Sequence, residues 1–166
     1  MKALTVAQPF PLKFEVGSLV ENRNWLPPEN IIGQYIALHG GKSKSFSKIE
    51  DNLEFILRYI FEAEMPVWLS DQIDWHNEHD DDAIFARDIQ LEGIFAVAKL
   101  ERVVTSQTEL PSDQAYWFFG RYGWVFSDYT SFAHPIPCGG QLGLWNLEDI
   151  VIQEVKEKFK LAKSRV

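Results

Sequence analysis

The sequence has little cysteine and no long apolar run, and each of these absences argues against a class of protein. Cys138 is the only cysteine among the 166 residues, so no disulfide can form within the chain, which is typical of a reducing, cytoplasmic setting. No apolar stretch approaches the roughly 20 residues that a membrane-spanning helix needs. Residues 1–6 run into Pro9 and Pro11 and lack the apolar core of a signal peptide. We therefore expect a cytoplasmic protein with no membrane partner.

Motifs for a bound metal, phosphate or cofactor are also missing. The glycine-containing segments 120–123 and 139–143 match neither a phosphate-binding loop nor a dinucleotide fingerprint. The acidic run 75–82 contains two histidines but neither the HExxH spacing nor a cysteine, so we interpret it as a solvated face. Cys138 has no basic neighbour in sequence and is interpreted as a packed small residue. We expect no cofactor and no metal.

The charge is acidic overall but unevenly distributed. Sixteen basic and 24 acidic side chains give a net charge of −8, which argues against a protein that coats nucleic acid non-specifically. Residues 61–115 hold three basic and thirteen acidic side chains, whereas the segments on either side are slightly basic. A local site for an anion on those flanking segments therefore remains compatible with the sequence.

The length and the apolar content predict one compact domain. Hydrophobic residues make up 46% of the chain and aromatic residues 14%, which is enough to fill a single core. Short alternating or apolar segments, bounded by glycine and proline, predict strands. These segments are 1–6, 19–25, 33–39, 93–104, 116–126 (two short strands around a turn) and 138–147.

Helices are predicted in three places. Ile49, Leu53 and Ile56 share one face of a helix over 47–64, with Ser47 as its N-cap. A terminal amphipathic helix is predicted over 148–166, and a shorter one over 12–17. Together these patterns predict an α+β protein: a small β-barrel of about six strands, with an inserted helical segment and a C-terminal helix.

Polar side chains gather within predicted strands or at their ends. The groups are Gln8-Pro9-Phe10, Glu21 to Trp25 and His39 to Lys42. Glu21 and Arg23 lie two residues apart on a predicted strand, so both side chains point to the same face. Such a pair either forms a structural ion pair or lines a site for a polar ligand. The spacing leaves both interpretations open.

Six segments in order resemble the ASCH domain family of the PUA-like superfamily, whose members are small β-barrels linked to RNA. The segments are ALTVAQPF at 3–10, VENRNW at 20–25, GQYIALHGGK at 33–42, GIFAVA at 93–98, YGWV at 122–125 and PIPCGGQLGLW at 135–145. The resemblance covers residues 1–147. It implies a PUA-like barrel with a helical and acidic insertion over 43–92, followed by a C-terminal helix over 148–166.

The resemblance also implies a cleft between the barrel and the first helix that holds a nucleic acid or a nucleotide-like ligand. Aromatic rings would add base stacking, which contributes about 1–3 kcal/mol per base. The candidate ligand-binding residues are Gln8, Ser18, Glu21, Arg23, His39 and Lys42, together with Trp117 and Tyr122 as candidate stacking rings.

Enzymatic relatives in this family resemble small amidohydrolases that remove an acyl group from modified cytidine. They use a lysine three residues before the position that Glu21 occupies here, a threonine at that position and a distant glutamate. In this sequence Ser18 stands in place of the lysine, and a serine cannot carry a proton as a lysine with a lowered pKa does. Lys13 replaces that lysine only if the short helix directs it inward.

Three functions follow from these observations. In the first, the cleft recognises single-stranded RNA or a modified base. The alternative is a small hydrolase, either an amidohydrolase on a modified nucleoside or a ribonuclease, with Glu21 or His39 as general base. In the third, the acidic segment 61–92 binds a protein partner.

Overall fold

The chain folds into one six-stranded sheet with helices on both sides. A computed structural model describes residues 1–60, 67–79 and 87–165, and six strands and five α-helices lie wholly within this part. The strands are β1 (Lys2–Val6), β2 (Val20–Arg23), β3 (Tyr35–Gly40), β4 (Gly93–Val104), β5 (Tyr122–Ile136) and β6 (Leu144–Asn146). The helices are α1 (Pro11–Glu15), α2 (Phe46–Ile60), α3 (Val67–His79), α4 (Ser112–Ala115) and α5 (Asp149–Ser164). The predicted α+β class is confirmed. None of these helices is both long and apolar enough to cross a membrane.

The sheet is mixed and curled. Its strand order is β2-β5-β4-β3-β1-β6, with β1 and β3 parallel and every other pair antiparallel. The register between β4 and β5 shifts at three places, and such irregularities bend a strand and increase its twist. The number of strands agrees with the prediction of about six, and they form a curled half-barrel whose outermost strands are β2 and β6.

Both faces of the central strands are buried. On one face Leu4 and Leu38 pack with Phe14 of α1, and on the other Ala3 packs with Val155 of α5. Successive residues of a strand point to opposite faces. The near-continuous apolar runs of β1, β3 and β4 are therefore explained by helices that cover the sheet on both sides. The predicted C-terminal helix is confirmed over Asp149–Ser164.

Helix α2 confirms the strongest helical pattern of the sequence. Its buried residues are Ile49, Leu53, Ile56 and Ile60, separated by three or four positions. Leu53, Ile56 and Ile60 pack beside β2 and β5 in a core that also contains Trp117. The helix begins at Phe46, so Ser47 lies in the helix and is not its N-cap.

The prediction of two short strands over 116–126 is wrong. Pro111 precedes α4, and the turn continues because the Trp117 N–H donates to the Gln114 carbonyl oxygen at 3.0 Å. The rings of Trp117 and Phe118 are thereby directed into the core around α2. Only from Tyr122 onward is the chain extended, as the single long strand β5.

The predicted helical and acidic insertion, 43–92, contains α2 and α3. Its segments 61–66 and 80–86 lie outside the described residues. The predicted partner-binding segment 61–92 is therefore described only in part.

Candidate functional site

A cleft of about 1050 Å³ opens beside the ends of β1 and β3. Five of the eight residues that the sequence selected for ligand binding line this cleft, and they come from three separate segments of the chain. These residues are Gln8, Glu21, Arg23, His39 and Lys42. The glycine-containing loop 137–143 that leads into β6 also lines the cleft. Residues 138–143 of this loop were predicted to belong to the last strand, which instead spans only Leu144–Asn146.

The parallel pairing of β1 and β3 brings the first of these segments together. Val6 is the register partner of Gly40, so the chain leaves both strands at the same edge of the sheet. The Gln8 side chain closes this edge, because its Nε2 donates to the carbonyl oxygens of Gly41 at 2.8 Å and Leu91 at 2.9 Å. Since Nε2 is used in this way, the amide orientation is fixed and Oε1 is an acceptor. Oε1 is buried and has no hydrogen-bond partner among the residues that the structure describes.

A buried group of charges forms the base of the cleft. The Lys13 Nζ lies 3.2 Å from Glu21 Oε2, and their side chains are 3% and 9% exposed. On the other side, Arg23 Nε lies 3.7 Å from Glu21 Oε1, and Arg23 Nη2 donates to the Thr5 carbonyl oxygen at 2.5 Å. Beyond these ion pairs, neither Glu21 Oε2 nor Arg23 Nε has a hydrogen-bond partner within the described part of the chain. The Glu21–Arg23 pair is thus both an ion pair and part of a cleft wall, the two possibilities that the sequence had left open.

Helix α1 directs the Lys13 side chain into the protein. This is the orientation that Lys13 would need in order to replace the lysine that is absent from position 18. The ammonium group lies 5.4 Å from the Phe10 ring centroid and 5.3 Å from that of Phe14. Burial lowers the pKa of Lys13 below its ordinary value, and the neighbouring Glu21 carboxylate offsets only part of this effect. Lys13 is not among the residues that line the cleft; it contacts Glu21 from behind.

Ser18, another of the candidate ligand-binding residues, is not among the residues that line the cleft. It is completely buried, and its Oγ accepts a hydrogen bond from the Val20 N–H at 3.2 Å. The side chain therefore supports the turn into β2 and does not face the cleft.

His39 is held by a chain of hydrogen bonds. Its Nε2 lies 2.7 Å from the Cys138 carbonyl oxygen, which can only accept, so this nitrogen carries a proton. Trp145 Nε1 donates to Thr5 Oγ1 at 2.9 Å, and that hydroxyl lies 3.4 Å from His39 Nδ1. Both ring nitrogens therefore face protein groups. This arrangement fits a residue that positions the 137–143 loop better than a free general base.

The packing of this loop on His39 predicts opposite outcomes at two adjacent glycines. A Cβ at Gly140 would lie 2.4 Å from His39 Cε1, whereas a Cβ at Gly139 would have no atom of the described residues within 4 Å. We expect Gly140→Ala to destabilise the protein by about 1–3 kcal/mol through overpacking. Gly139→Ala should change the stability by less than about 0.5 kcal/mol. Urea unfolding of both variants measures the difference, and equal stabilities would contradict this view of the loop.

The two candidate stacking rings lie elsewhere. Trp117 is completely buried in the core beside α2. Tyr122 is the register partner of Arg23 at the start of β5 and packs on the central core. The aromatic ring that does line the cleft is Phe10. Phe10 directly follows Gln8-Pro9, which the sequence already marked as a candidate segment for its polar groups. This position is the signal in the sequence that could have identified Phe10 as a residue of the cleft.

Lys44 and Glu92 also line the cleft and were not selected from the sequence. Neither belongs to a segment with a recognisable motif. No protein-family model and no curated protein matches this chain.

Proposed function

We propose that the cleft binds the base of a nucleotide or nucleoside, in single-stranded RNA or as a modified base, on an ASCH-type, PUA-like barrel. The observation that carries this proposal is the convergence of hydrogen-bonding side chains from three separate segments on one cleft. Its volume of about 1050 Å³ is sufficient for a nucleotide, since small-molecule pockets measure roughly 300–1000 Å³.

The polar groups of the cleft suit the edge of a base. A carboxylate such as that of Glu21 accepts hydrogen bonds from exocyclic amino groups, and an arginine such as Arg23 donates to ring and carbonyl acceptors. Gln8 Oε1 is a further acceptor, with a fixed orientation. Buried polar atoms without partners cost free energy. Gln8 Oε1 and Arg23 Nε, which have no hydrogen-bond partner among the described residues, lie at this one site, and a ligand that pairs with them would recover that cost.

Phe10 supplies the apolar surface that a base needs. It is partly buried and lines the cleft, and its ring can stack against a base, an interaction worth about 1–3 kcal/mol. A pocket for one base also suits a chain of net charge −8 better than a long groove for a polyanion does.

A second candidate function is hydrolysis of an acylated nucleoside. It is favoured by one observation, the buried Lys13 ammonium group beside Glu21. Burial lowers the pKa of Lys13, so its ammonium group gives up a proton more readily than that of an exposed lysine. In this function Glu21 would face the substrate, and the Lys13 ammonium group would supply a proton to it from behind.

The test is a binding screen of the purified protein with nucleosides, modified cytidines and short single-stranded RNA and DNA, with mass spectrometry to detect conversion. We expect one ligand to raise the melting temperature and to remain intact. Arg23→Ala should weaken this ligand about tenfold or more, because a hydrogen bond to a charged group contributes about 1.5–3 kcal/mol.

Arg102→Ala is the matched control, because Arg102 is exposed on β4 and does not line the cleft. It should leave the affinity unchanged. Conversion of a substrate, abolished by Glu21→Gln with the ligand still bound, would establish the hydrolase instead. If no ligand stabilises the protein and no substrate is converted, both proposed functions are overturned.

A further inference from the structure

The mouth of the cleft is cationic although the chain is acidic. Three basic side chains line the cleft, namely Arg23, Lys42 and Lys44, against two carboxylates, those of Glu21 and Glu92. Glu21 is additionally paired with a lysine from behind. The cleft thus has a surplus of positive charge in a protein whose net charge is −8.

The two lysines are carried on a loop that the protein holds in place. The Lys44 N–H donates to Gln90 Oε1 at 2.7 Å, and Gln90 Nε2 donates back to the Lys44 carbonyl oxygen at 2.8 Å. The Ser43 N–H donates to Glu92 Oε1 at 3.0 Å, and the Gly41 N–H to the Val6 carbonyl oxygen at 3.0 Å. These bonds fix the backbone from which the Lys42 side chain also extends.

Of the two carboxylates of the cleft, Glu21 is already paired with cations, whereas the two lysines are in no ion pair within the described residues. Glu21 lies between two cations, and Glu92 accepts the Ser43 N–H. Within the described part of the chain, neither Lys42 nor Lys44 forms an ion pair, and both side chains are exposed. Two uncompensated ammonium groups on a fixed loop form a site that an anion can occupy.

We infer that the ligand of the cleft carries a phosphate group, which Lys42 and Lys44 bind while the base occupies the end of the cleft formed by Gln8 and Glu21. This inference rests on the proposed function and specifies its ligand as a nucleotide. Lysine binds phosphate as a point charge. The attraction between the ammonium and phosphate charges is stronger beside the low-dielectric wall of a cleft than in open water.

The test compares the four common ribonucleosides with their 5′-monophosphates by isothermal titration calorimetry. In each pair that binds, we expect the monophosphate to bind about tenfold more tightly, the effect of a charge-assisted hydrogen bond. This advantage should shrink as the salt concentration rises from about 50 to about 200 mM, because salt screens charge pairs near the surface. Inorganic phosphate should compete with the monophosphate more strongly than with the nucleoside.

The double variant Lys42→Ala/Lys44→Ala should lower the monophosphate affinity about tenfold more than the nucleoside affinity. The matched control is Lys156→Ala/Lys160→Ala, which removes the same charge from exposed positions of α5. It should leave the ratio of monophosphate to nucleoside affinity unchanged. A dinucleotide with one internal phosphate distinguishes the source of the group: tighter binding than the monophosphate indicates a strand, weaker binding a free nucleotide.

The outcomes separate this inference from the proposed function. Equal affinity for nucleoside and monophosphate would overturn the inference and leave base binding intact. The inference would also be overturned if the control variant reduced the ratio of monophosphate to nucleoside affinity as much as the Lys42/Lys44 variant does. The effect would then come from net charge alone. If no nucleoside and no monophosphate binds, both the inference and the proposed function are overturned.

Discussion

Lys13→Met is expected to lower the free energy of unfolding by about 3 kcal/mol, because removing one partner of a buried ion pair leaves the other charge uncompensated. Glu21 would keep only Arg23, whose Nε lies 3.7 Å away. Glu21→Gln should also destabilise, because it leaves the buried ammonium group of Lys13 without its carboxylate. Urea denaturation measures both changes.

The double variant Lys13→Met/Glu21→Gln should cost less than the sum of the single variants by at least about 1 kcal/mol, because it removes both charges together. The control pair is Arg58 and Glu54 on α2, which are 2.7 Å apart but 72% and 60% exposed. Replacing either of these should change the stability by at most about 0.5 kcal/mol. Additive effects at Lys13 and Glu21 would contradict a coupled buried pair.

The pH dependence of Lys13→Met provides a second readout. The pKa of Lys13 is lowered from its ordinary value of 10.5 in the folded protein, so between the two values the unfolded chain binds the proton more readily. The contribution of Lys13 to the free energy of unfolding therefore rises with pH between its pKa in the folded protein and its pKa in the unfolded chain, and it is lost as the pH falls through that range. Lys13→Met should lack this rise.

Gly40→Ala should destabilise the protein by about 3 kcal/mol or more, or prevent folding, because a Cβ there collides with the backbone. The added carbon would lie 1.6 Å from the Leu91 carbonyl oxygen and 3.2 Å from Gln8 Nε2. Since that oxygen also accepts the Gln8 hydrogen bond, the chain cannot move aside without opening the cleft edge. Urea denaturation and the yield of folded protein measure the effect.

Gly41→Ala is the neighbouring control. A Cβ at Gly41 would lie 3.6 Å from the Val6 carbonyl oxygen, an ordinary contact. We expect a change of less than about 1 kcal/mol. Equal stabilities of the two variants would show that the strand end tolerates a side chain and that its packing against Leu91 is loose.

The elements that the sequence predicted well have local patterns. Alternation in β3 and the spacing of three and four residues in α2 depend only on neighbouring positions. The same reasoning placed Gln8 and Lys42 at strand ends. Their meeting in one cleft requires the parallel pairing of β1 with β3, which follows from the whole sheet.

The aromatic run before β5 shows where local patterns fail. Trp117 and Phe118 fit either a strand or a turn, and packing against α2 determines that both are buried. Likewise, the role of His39 depends on partners far away in sequence, Trp145 through Thr5 and the Cys138 carbonyl oxygen. No spacing rule connects these positions.

The position of β1 between β3 and β6 has a consequence for the order of events during synthesis. Lys2 pairs with Asn146, and the Thr5 N–H donates to the Gly143 carbonyl oxygen, so β1 is completed by a segment that is translated much later. Contacts so distant along the chain form only after the intervening residues have been made. The wall of the cleft formed by residues 137–143 is therefore missing until these residues have been made. A nascent chain on the ribosome acquires the complete cleft only when translation has passed β6.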